Sequence, residues 1–273
     1  MAAPPLPVGL VGVAPARGAA LRAAGFETLA GDAALAARCD LVVVGGEGRA
    51  DRLREVLARG AHAFVAWPPA ESVEAAERLA ATAEEAGAEV GVARPLPLGR
   101  LLAGRPAGWR ARLATVELGA APGGRLGAAS PAARLAGGLD LCAALVGRRA
   151  LARVDAEAHL GPDGAPGAVA AALRFRNGAF ATLVVREARH ARADEVSVFA
   201  AGAAGTLTAR SLDGPLCLDG APLAGGPGDA APPDADEAAA FAAAVRSGAP
   251  APFSLHDAIA TMRLAERVAR RLG

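Results

Sequence analysis

The chain has 273 residues, of which 53% are hydrophobic, and its formal net charge is +1. This length suits two domains of ordinary size or one large domain. The near-neutral charge, without a basic cluster among aromatic residues, argues against a nucleic-acid partner. No apolar run reaches the ~18 residues of a membrane helix, and residues 1–7 lack a signal-peptide pattern, so we expect a cytoplasmic protein.

The amino-acid inventory excludes several kinds of catalysis. The sequence contains neither lysine nor tyrosine, so all 29 basic residues are arginines. Arginine stays protonated near neutral pH and forms no Schiff base, which excludes lysine acid–base catalysis, pyridoxal-phosphate aldimines and lysine-assisted phosphoryl transfer. Cys39, Cys142 and Cys217 are far apart in the sequence, so we expect reduced thiols and no metal site.

The first turn of the chain carries an incomplete glycine motif. Val8–Val13 predicts a strand that runs into a turn and a helix. A dinucleotide-binding turn has the pattern Gly-x-Gly-x-x-Gly, so that backbone amides approach a pyrophosphate. Gly12 matches the first glycine, whereas Ala14 and Arg17 replace the other two. Two alternatives stay open here, a dinucleotide site or a strand–helix turn without a ligand.

The next segment is short for a complete nucleotide-binding half. Between Gly12 and the apolar run Leu41–Val44 there is room for one crossover of ~30 residues, whereas an intact half has two crossovers. We therefore expect a Rossmann-like domain that lacks part of one βα unit. Phe26–Ala30 is a candidate remaining strand. Asp32 either holds a ribose or, in the interpretation we favour, caps a following helix.

A buried strand is predicted at Ala63–Ala66, followed by Trp67 and the pair Pro68-Pro69. The helix after it has Ser72 as its expected N-cap. Open α/β sheets bind ligands at the carboxyl ends of their strands, which is where Trp67 should lie.

The second half of the chain alternates apolar and polar residues with a period of two, which predicts β-strands. The candidate strands are Leu113–Leu118, Val154–His159, Val169–Phe175, Ala179–Val185, Glu195–Ala200 and Thr206–Ala209. Asn177-Gly178 predicts a hairpin turn, and Ser254 with Asp257 has the spacing of a capping box for a final helix. We expect one antiparallel sheet with helices in a second domain, 99–273, after an α/β domain, 1–98.

These motifs resemble those of the Gfo/Idh/MocA family, the glucose–fructose oxidoreductase and inositol dehydrogenase relatives. Gly60, His62 and Pro68 match the family pattern Gly-Lys-His-Val-x-x-Glu-Lys-Pro, and further matches are Leu173–Gly178, Gly202–Leu207 and Asp257-Ala258. The resemblance covers nearly the whole chain. It implies a shortened, divergent member with a Rossmann-like domain followed by a substrate and oligomerisation domain.

The resemblance also implies NAD(P)-dependent chemistry, with a lysine beside the nicotinamide and a histidine in a His-x-x-Asp motif. Here the lysine position is Trp67, the histidine position is Gly137 and the aspartate is Asp140. Asp140 is therefore the remaining candidate catalytic residue. Its alternative role is to bond the N-terminus of its own helix, which we expect to begin near Ala136.

By the same resemblance, the Thr-Pro-Asn segment of the family falls on Gly45, Gly46 and Glu47. If a dinucleotide binds, the implied contacts are Gly12, Val13, Ala14, Gly45, Gly46, Trp67 and Pro68. The implied substrate pocket consists of Trp67, Arg94, Gly137 and Asp140. Arg94 has an alternative role, in which it pairs with a surface carboxylate.

Three functions are consistent with these residues. The first is an active NAD(P)-dependent oxidoreductase of a sugar, polyol or imine, and the second is a repurposed non-redox enzyme in the same cleft. We favour the third, a pseudoenzyme that acts as a ligand-binding or partner subunit, because Trp67 and Gly137 cannot exchange a proton. The cofactor and the small-molecule ligand stay open. The expected partner is a second copy bound through the open face of the C-terminal sheet, or a catalytically active relative.

Overall fold

The computed structural model describes residues 7–13, 18–19, 21–22, 27–30, 39–96, 105–148, 150–161, 166–211, 214–223 and 233–272. The chain divides into two compact units. Unit 1 comprises Met1–Arg94 and Ala230–Met262, and unit 2 comprises Pro95–Asp229 and Arg263–Gly273. No helix in the described ranges is long and apolar enough to cross a membrane.

Unit 1 is built on a five-stranded sheet in the order β2-β1-β3-β4-β5, with every neighbouring pair parallel. The strands are β1 (Pro7–Val11), β2 (Glu27–Ala30), β3 (Leu41–Val44), β4 (His62–Val65) and β5 (Val90–Val92). All residues of β3 are buried, as expected of a parallel strand covered on both faces. In the described residues β2 is the edge strand, so the expected loss of part of one βα unit is confirmed there. Asp32 lies outside them.

The two helices α1 and α2 of unit 1 differ in how their N-termini are capped. Helix α1 (Arg49–Leu57) begins after Gly48, which has a φ of 65° and no side-chain cap. Helix α2 (Val73–Ala86) has the predicted cap, since Ser72 Oγ accepts a hydrogen bond from Ala75 N at 3.1 Å. Each helix buries an apolar stripe in the core of unit 1.

Unit 1 also contains a segment from near the C-terminus, which the sequence analysis assigned to the second domain. In α5 (Pro233–Ser247), Phe241 is 1% exposed and its ring centroid lies 5.8 Å from that of Phe64. A Cβ atom at Gly91 would lie 2.5 Å from the Phe241 ring, so glycine is what allows β5 to approach this side chain. This burial of large aromatic area explains why the segment belongs with unit 1.

The last helix, α6 (Leu255–Leu272), has the predicted capping box. Asp257 N donates to Ser254 Oγ at 3.2 Å, and Ser254 N donates to Asp257 Oδ2 at 3.1 Å. Two backbone N–H groups at the start of the helix, which have no carbonyl partner within it, thereby gain hydrogen bonds.

Unit 2 contains an eight-stranded sheet in the order β13-β12-β11-β10-β6-β9-β8-β7. Its strands are β6 (Ala111–Ala120), β7 (Leu151–Leu160), β8 (Pro166–Phe175), β9 (Phe180–Glu187), β10 (Glu195–Gly202), β11 (Gly205–Ala209), β12 (Cys217–Leu218) and β13 (Ala221–Pro222). Helices α3 (Arg125–Ala128) and α4 (Pro131–Leu145) follow β6. Gly178, at φ 80°, forms the predicted hairpin turn between β8 and β9.

One strand pair differs from the expected antiparallel arrangement. Strands β6 and β9 run parallel, with Leu113 beside Phe180 and Ala120 beside Glu187. Two parallel neighbours need a long crossover connection, and α4 together with the hairpin strands β7 and β8 supplies it. The remaining neighbouring pairs are antiparallel.

The two faces of this sheet are unlike. Helix α4 packs on one face, where a Cβ atom at Gly138 would lie 2.5 Å from Leu183 Cδ1. We call the other side the open face. Its alternate residues include charged side chains and a group of small or apolar ones that lie at the surface or half-buried: Leu113, Thr115, Ala170, Ala172, Phe180, Thr182, Val184 and Phe199. Leu113 and Phe199 are each 42% exposed.

Candidate functional site

The candidate site lies at the carboxyl ends of β1 and β3 in unit 1. The chain passes from β1 to β2 on one side of the sheet, and β3 lies on the other side of β1. Such a reversal in strand order opens a crevice, and ligands of open α/β sheets bind there. We call the residues at this point, Gly12, Gly45, Gly46 and Arg52, the switch-point crevice.

Three glycines bring the two strand ends into contact. Gly45 N donates to Val11 O at 3.0 Å. A Cβ atom at either Gly45 or Gly46 would lie 3.0 Å from Gly12 O, and both Gly12 (φ 64°) and Gly46 (φ 73°) have positive φ angles. Side chains at these positions would separate the strand ends or strain the backbone.

Arg52 fills the crevice between those glycines. Its Nη1 donates to Gly45 O at 2.9 Å, and its guanidinium lies directly against the α-carbon of Gly12, where a Cβ atom would clash with it. The side chain is half-buried. Arg52 was not among the residues predicted for the site, although an arginine in the first turn of a helix that follows a glycine-rich strand end was a usable signal.

A second arginine of α1 reaches the end of the neighbouring strand. Arg49 Nη1 donates to Trp67 O at 2.9 Å, just after β4. Trp67 is joined to Pro68 by a cis peptide bond, and its half-buried indole packs against the apolar core of unit 1. Arg49 and Arg52 lie one helical turn apart on one face of α1, and they connect the ends of β4 and β3.

In this structure the side chain of Arg52 occupies the place where the diphosphate of a dinucleotide would meet the glycine turn. A pyrophosphate would approach the backbone of the first glycine in the turn, but the Arg52 guanidinium stands against Gly12 at that place. Val13 is half-buried beside the turn, and Ala14 and Arg17 lie outside the described residues.

Arg94 has its own partners at the end of β5. Its backbone N–H donates to Glu237 Oε2 at 2.9 Å, and its Nε lies 3.6 Å from Glu237 Oε1. The guanidinium carbon stands 4.6 Å from the centroid of the Phe253 ring, in a cation–π arrangement. These contacts favour the carboxylate-pairing alternative for Arg94.

Asp140 lies in unit 2, in the interior of α4. The helix begins after Ser130, whose Oγ accepts from Ala133 N at 3.2 Å, rather than near residue 136. The expected bond from Asp140 to its own helix N-terminus is therefore wrong, because the residue lies too far along the helix. Asp140 is instead 2% exposed, and its Oδ1 accepts from Arg148 Nη2 at 2.6 Å.

Two neighbours of Asp140 on α4 provide no reactive group at neutral pH. Burial, and secondarily the Asp140 carboxylate, raises the pKa of the Cys142 thiol to about 12, so this cysteine is no nucleophile at neutral pH. Gly137, at the family histidine position, is packed against Leu96, since a Cβ atom there would lie 2.5 Å from Leu96 Cγ. The described residues of the chain contain no group of three acidic, histidine or cysteine side chains that could hold a metal ion.

Solved structures with the same architecture identify the fold. The chain is similar to UDP-N-acetylglucosamine 3-dehydrogenase from Acidithiobacillus ferrooxidans, with a TM-score of 0.77, 16% identity, and 98% of this chain and 97% of that chain covered. The same TM-score and identity relate it to an NAD binding oxidoreductase from Klebsiella pneumoniae, with 98% and 96% covered. The chain has the fold of Gfo/Idh/MocA dehydrogenases.

A dehydrogenase from Clostridium difficile with this Gfo/Idh/MocA fold has a TM-score of 0.75 and 13% identity, and 98% of this chain and 99% of that chain are covered. At such identities the likeness shows the fold alone. No protein-family model matches the sequence, and no curated protein matches it. The fold expected from the sequence motifs is confirmed.

Proposed function

We propose that this protein has lost the hydride-transfer chemistry associated with the Gfo/Idh/MocA fold and acts as a ligand-binding or partner subunit. The observation that carries the proposal is the position of Arg52. Its guanidinium lies against Gly12 and donates to Gly45 O at 2.9 Å. A side chain there obstructs the path along which a dinucleotide would cross from β1 to β3.

The acid–base groups support the same conclusion. Hydride transfer to or from a carbonyl needs a group that gives or takes a proton at the oxygen. The indole of Trp67 and the bare α-carbon of Gly137 cannot do so, and the sequence offers no lysine or tyrosine elsewhere. Asp140 is buried and paired with Arg148, so its carboxylate is committed to a structural contact.

An active NAD(P)-dependent oxidoreductase is the alternative, because the Klebsiella pneumoniae relative in fold is described as an NAD binding oxidoreductase. Calorimetric titration with NAD⁺, NADH, NADP⁺ and NADPH decides between them. We expect no saturable binding tighter than about 1 mM, which corresponds to about −4 kcal/mol. The Klebsiella protein in the same buffer is the positive control. A dissociation constant near 1 μM, about −8 kcal/mol, would overturn the proposal.

We also propose that two copies associate through the open face of the sheet. This face carries rows of opposite charge along its strands. Arg153 and Arg174 are paired in register at one end. Glu157 and Glu117 lie in one row further along the strands, through Ala170 and Val184, and in the next row Arg186 pairs with Glu195. The row between the arginines and the glutamates contains Asp155, which pairs with Arg153 at 2.8 Å, and otherwise small or apolar residues.

The charge distribution favours one orientation of the two-fold axis. When the axis runs in the interface and across the strands, the arginine end of one copy meets the glutamate end of the other. An axis along the strands would instead place like charges together, which is unfavourable. The isologous contact expected of two-fold symmetry is therefore satisfied by an antiparallel stacking of the two open faces.

A further inference from the structure

We propose that Arg52 and Arg49 form an anion site that binds a phosphate group of a small molecule. The inference rests on the proposed function, because it names the class of ligand that a protein without dinucleotide binding would take at the switch-point crevice. The backbone amides of a glycine turn are replaced here by the guanidinium of Arg52. A compact anion can meet this cation from its solvent side, whereas an extended dinucleotide needs the space that the side chain fills.

Among the described residues, the two guanidiniums have no carboxylate partner of the kind that buried or half-buried cations usually have. Each donates to one carbonyl oxygen, Arg52 to Gly45 O and Arg49 to Trp67 O, both at 2.9 Å. Neither makes an ion pair with a described residue, and the nearby Glu47 is exposed and pairs with neither. By contrast, Arg54 on the same helix pairs with Asp51 at 2.7 Å.

The position of the arginines on the helix increases the positive potential. Both side chains project from the first turn of α1, where the helix dipole favours acidic residues. The N-cap residue, Gly48, supplies no side-chain oxygen. Two cations at this place are unfavourable by themselves, and an anion bound between them would offset that cost.

The carbonyl contacts hold the two cations at neighbouring strand ends. Gly45 and Trp67 follow β3 and β4, which are adjacent in the sheet, and the two arginines lie one helical turn apart on α1. Guanidiniums anchored side by side in this way can donate to different oxygens of one phosphate. Arginine suits this ligand because its planar fork donates two parallel hydrogen bonds. A carboxylate has one oxygen fewer than the terminal oxygens of a phosphate group, so phosphate is the better ligand for two guanidiniums.

Calorimetry with inorganic phosphate in a chloride buffer tests the site. We expect saturable binding of one phosphate group to the wild-type chain, and binding weakened about tenfold or more in Arg52→Ala and in Arg49→Ala. Arg54→Ala is the matched control, since it removes one cation from the same helix, and its affinity should stay within about twofold of wild type. Acetate should give no saturable heat.

Arg52→Lys keeps the experiment decisive if Arg52→Ala does not fold. It preserves the charge but loses the fork, so we expect affinity between those of wild type and Arg49→Ala. Absence of phosphate binding by the wild type overturns the proposal, as does equal weakening in the Arg52 and Arg54 variants or equal binding of acetate. Micromolar NAD⁺ binding together with Arg52-dependent phosphate binding would overturn the proposed function and leave the anion site standing.

Discussion

Introducing the family histidine, Gly137→His, should destabilise the protein strongly instead of preparing a catalytic site. A Cβ atom at position 137 would lie 2.5 Å from Leu96 Cγ and 2.6 Å from Leu96 Cδ1. Overpacking of this kind costs about 1–3 kcal/mol, and an imidazole buried without a hydrogen-bond partner costs about 1–3 kcal/mol more. The sum is a large part of the ~5–15 kcal/mol that stabilises a typical domain.

Urea unfolding of matched variants separates the steric effect from the residue type. Ala132→His places the same side chain on an exposed position of α4 and should change the free energy of unfolding by less than about 0.5 kcal/mol. The double variant Leu96→Ala/Gly137→His should be more stable than the sum of its single changes predicts, because the smaller residue 96 makes room for the ring. Equal stability of Gly137→His and Ala132→His would contradict this packing.

Much of the parallel sheet could be predicted from the sequence because its signals are local. Leu41–Val44 is a short apolar run between turn residues, and it forms β3 with these bounds. Ser72 and Ser254 were expected as helix caps, and both accept the predicted backbone hydrogen bonds. Such caps depend only on residues within one turn of the helix.

Longer-range features escaped the same reasoning. A period of two identifies strands but not the direction of their neighbours, so the parallel pairing of β6 with β9 could not be deduced. The assignment of α5 to unit 1 depends on the contact of Phe241 with Phe64 and Gly91, residues distant in the chain. Hydrophobic patterning places Phe241 in a core without saying which core.

The candidate site was predictable only where a motif described it. Gly12 was found through the glycine motif, and Gly45 and Gly46 through the family resemblance, and the structure brings them together. Arg49 and Arg52 were missed, because a motif search compares expected residues and gives no weight to an unexpected pair. The start of α4 was missed although Ser130 followed by a proline is a recognisable N-cap with proline in the first turn.

The open face of the sheet leads to the second large expected effect, dissociation of a dimer by one charge reversal. Arg174→Glu should weaken self-association at least about tenfold, because the arginine end of one copy would lose its attraction for the glutamate end of the other. Arg174 is the better target of the two arginines, since Arg153 already pairs with Asp155 at 2.8 Å. Its side chain is exposed and lines a shallow depression beside Ala172 and Phe180.

Glu157→Arg should weaken the dimer similarly, and the double variant Arg174→Glu/Glu157→Arg should recover most of the affinity. Recovery is the specific result, because it requires the two ends to meet across the interface. Arg54→Glu makes the same charge change on α1, where the side chain is 54% exposed, and should leave the association unchanged. Sedimentation at several concentrations gives the dissociation constants.

The salt dependence of the same variants distinguishes charge pairing from apolar contact. If the two ends attract each other, raising the ionic strength should weaken the wild-type dimer, since exposed charges are screened over about 8–10 Å. The double variant should show the same dependence, whereas each single variant should show the reverse, because screening relieves its repulsion. A wild-type chain of 26.9 kDa that stays monomeric at micromolar concentration, or a double variant weaker than both singles, would contradict the antiparallel stacking of the two open faces.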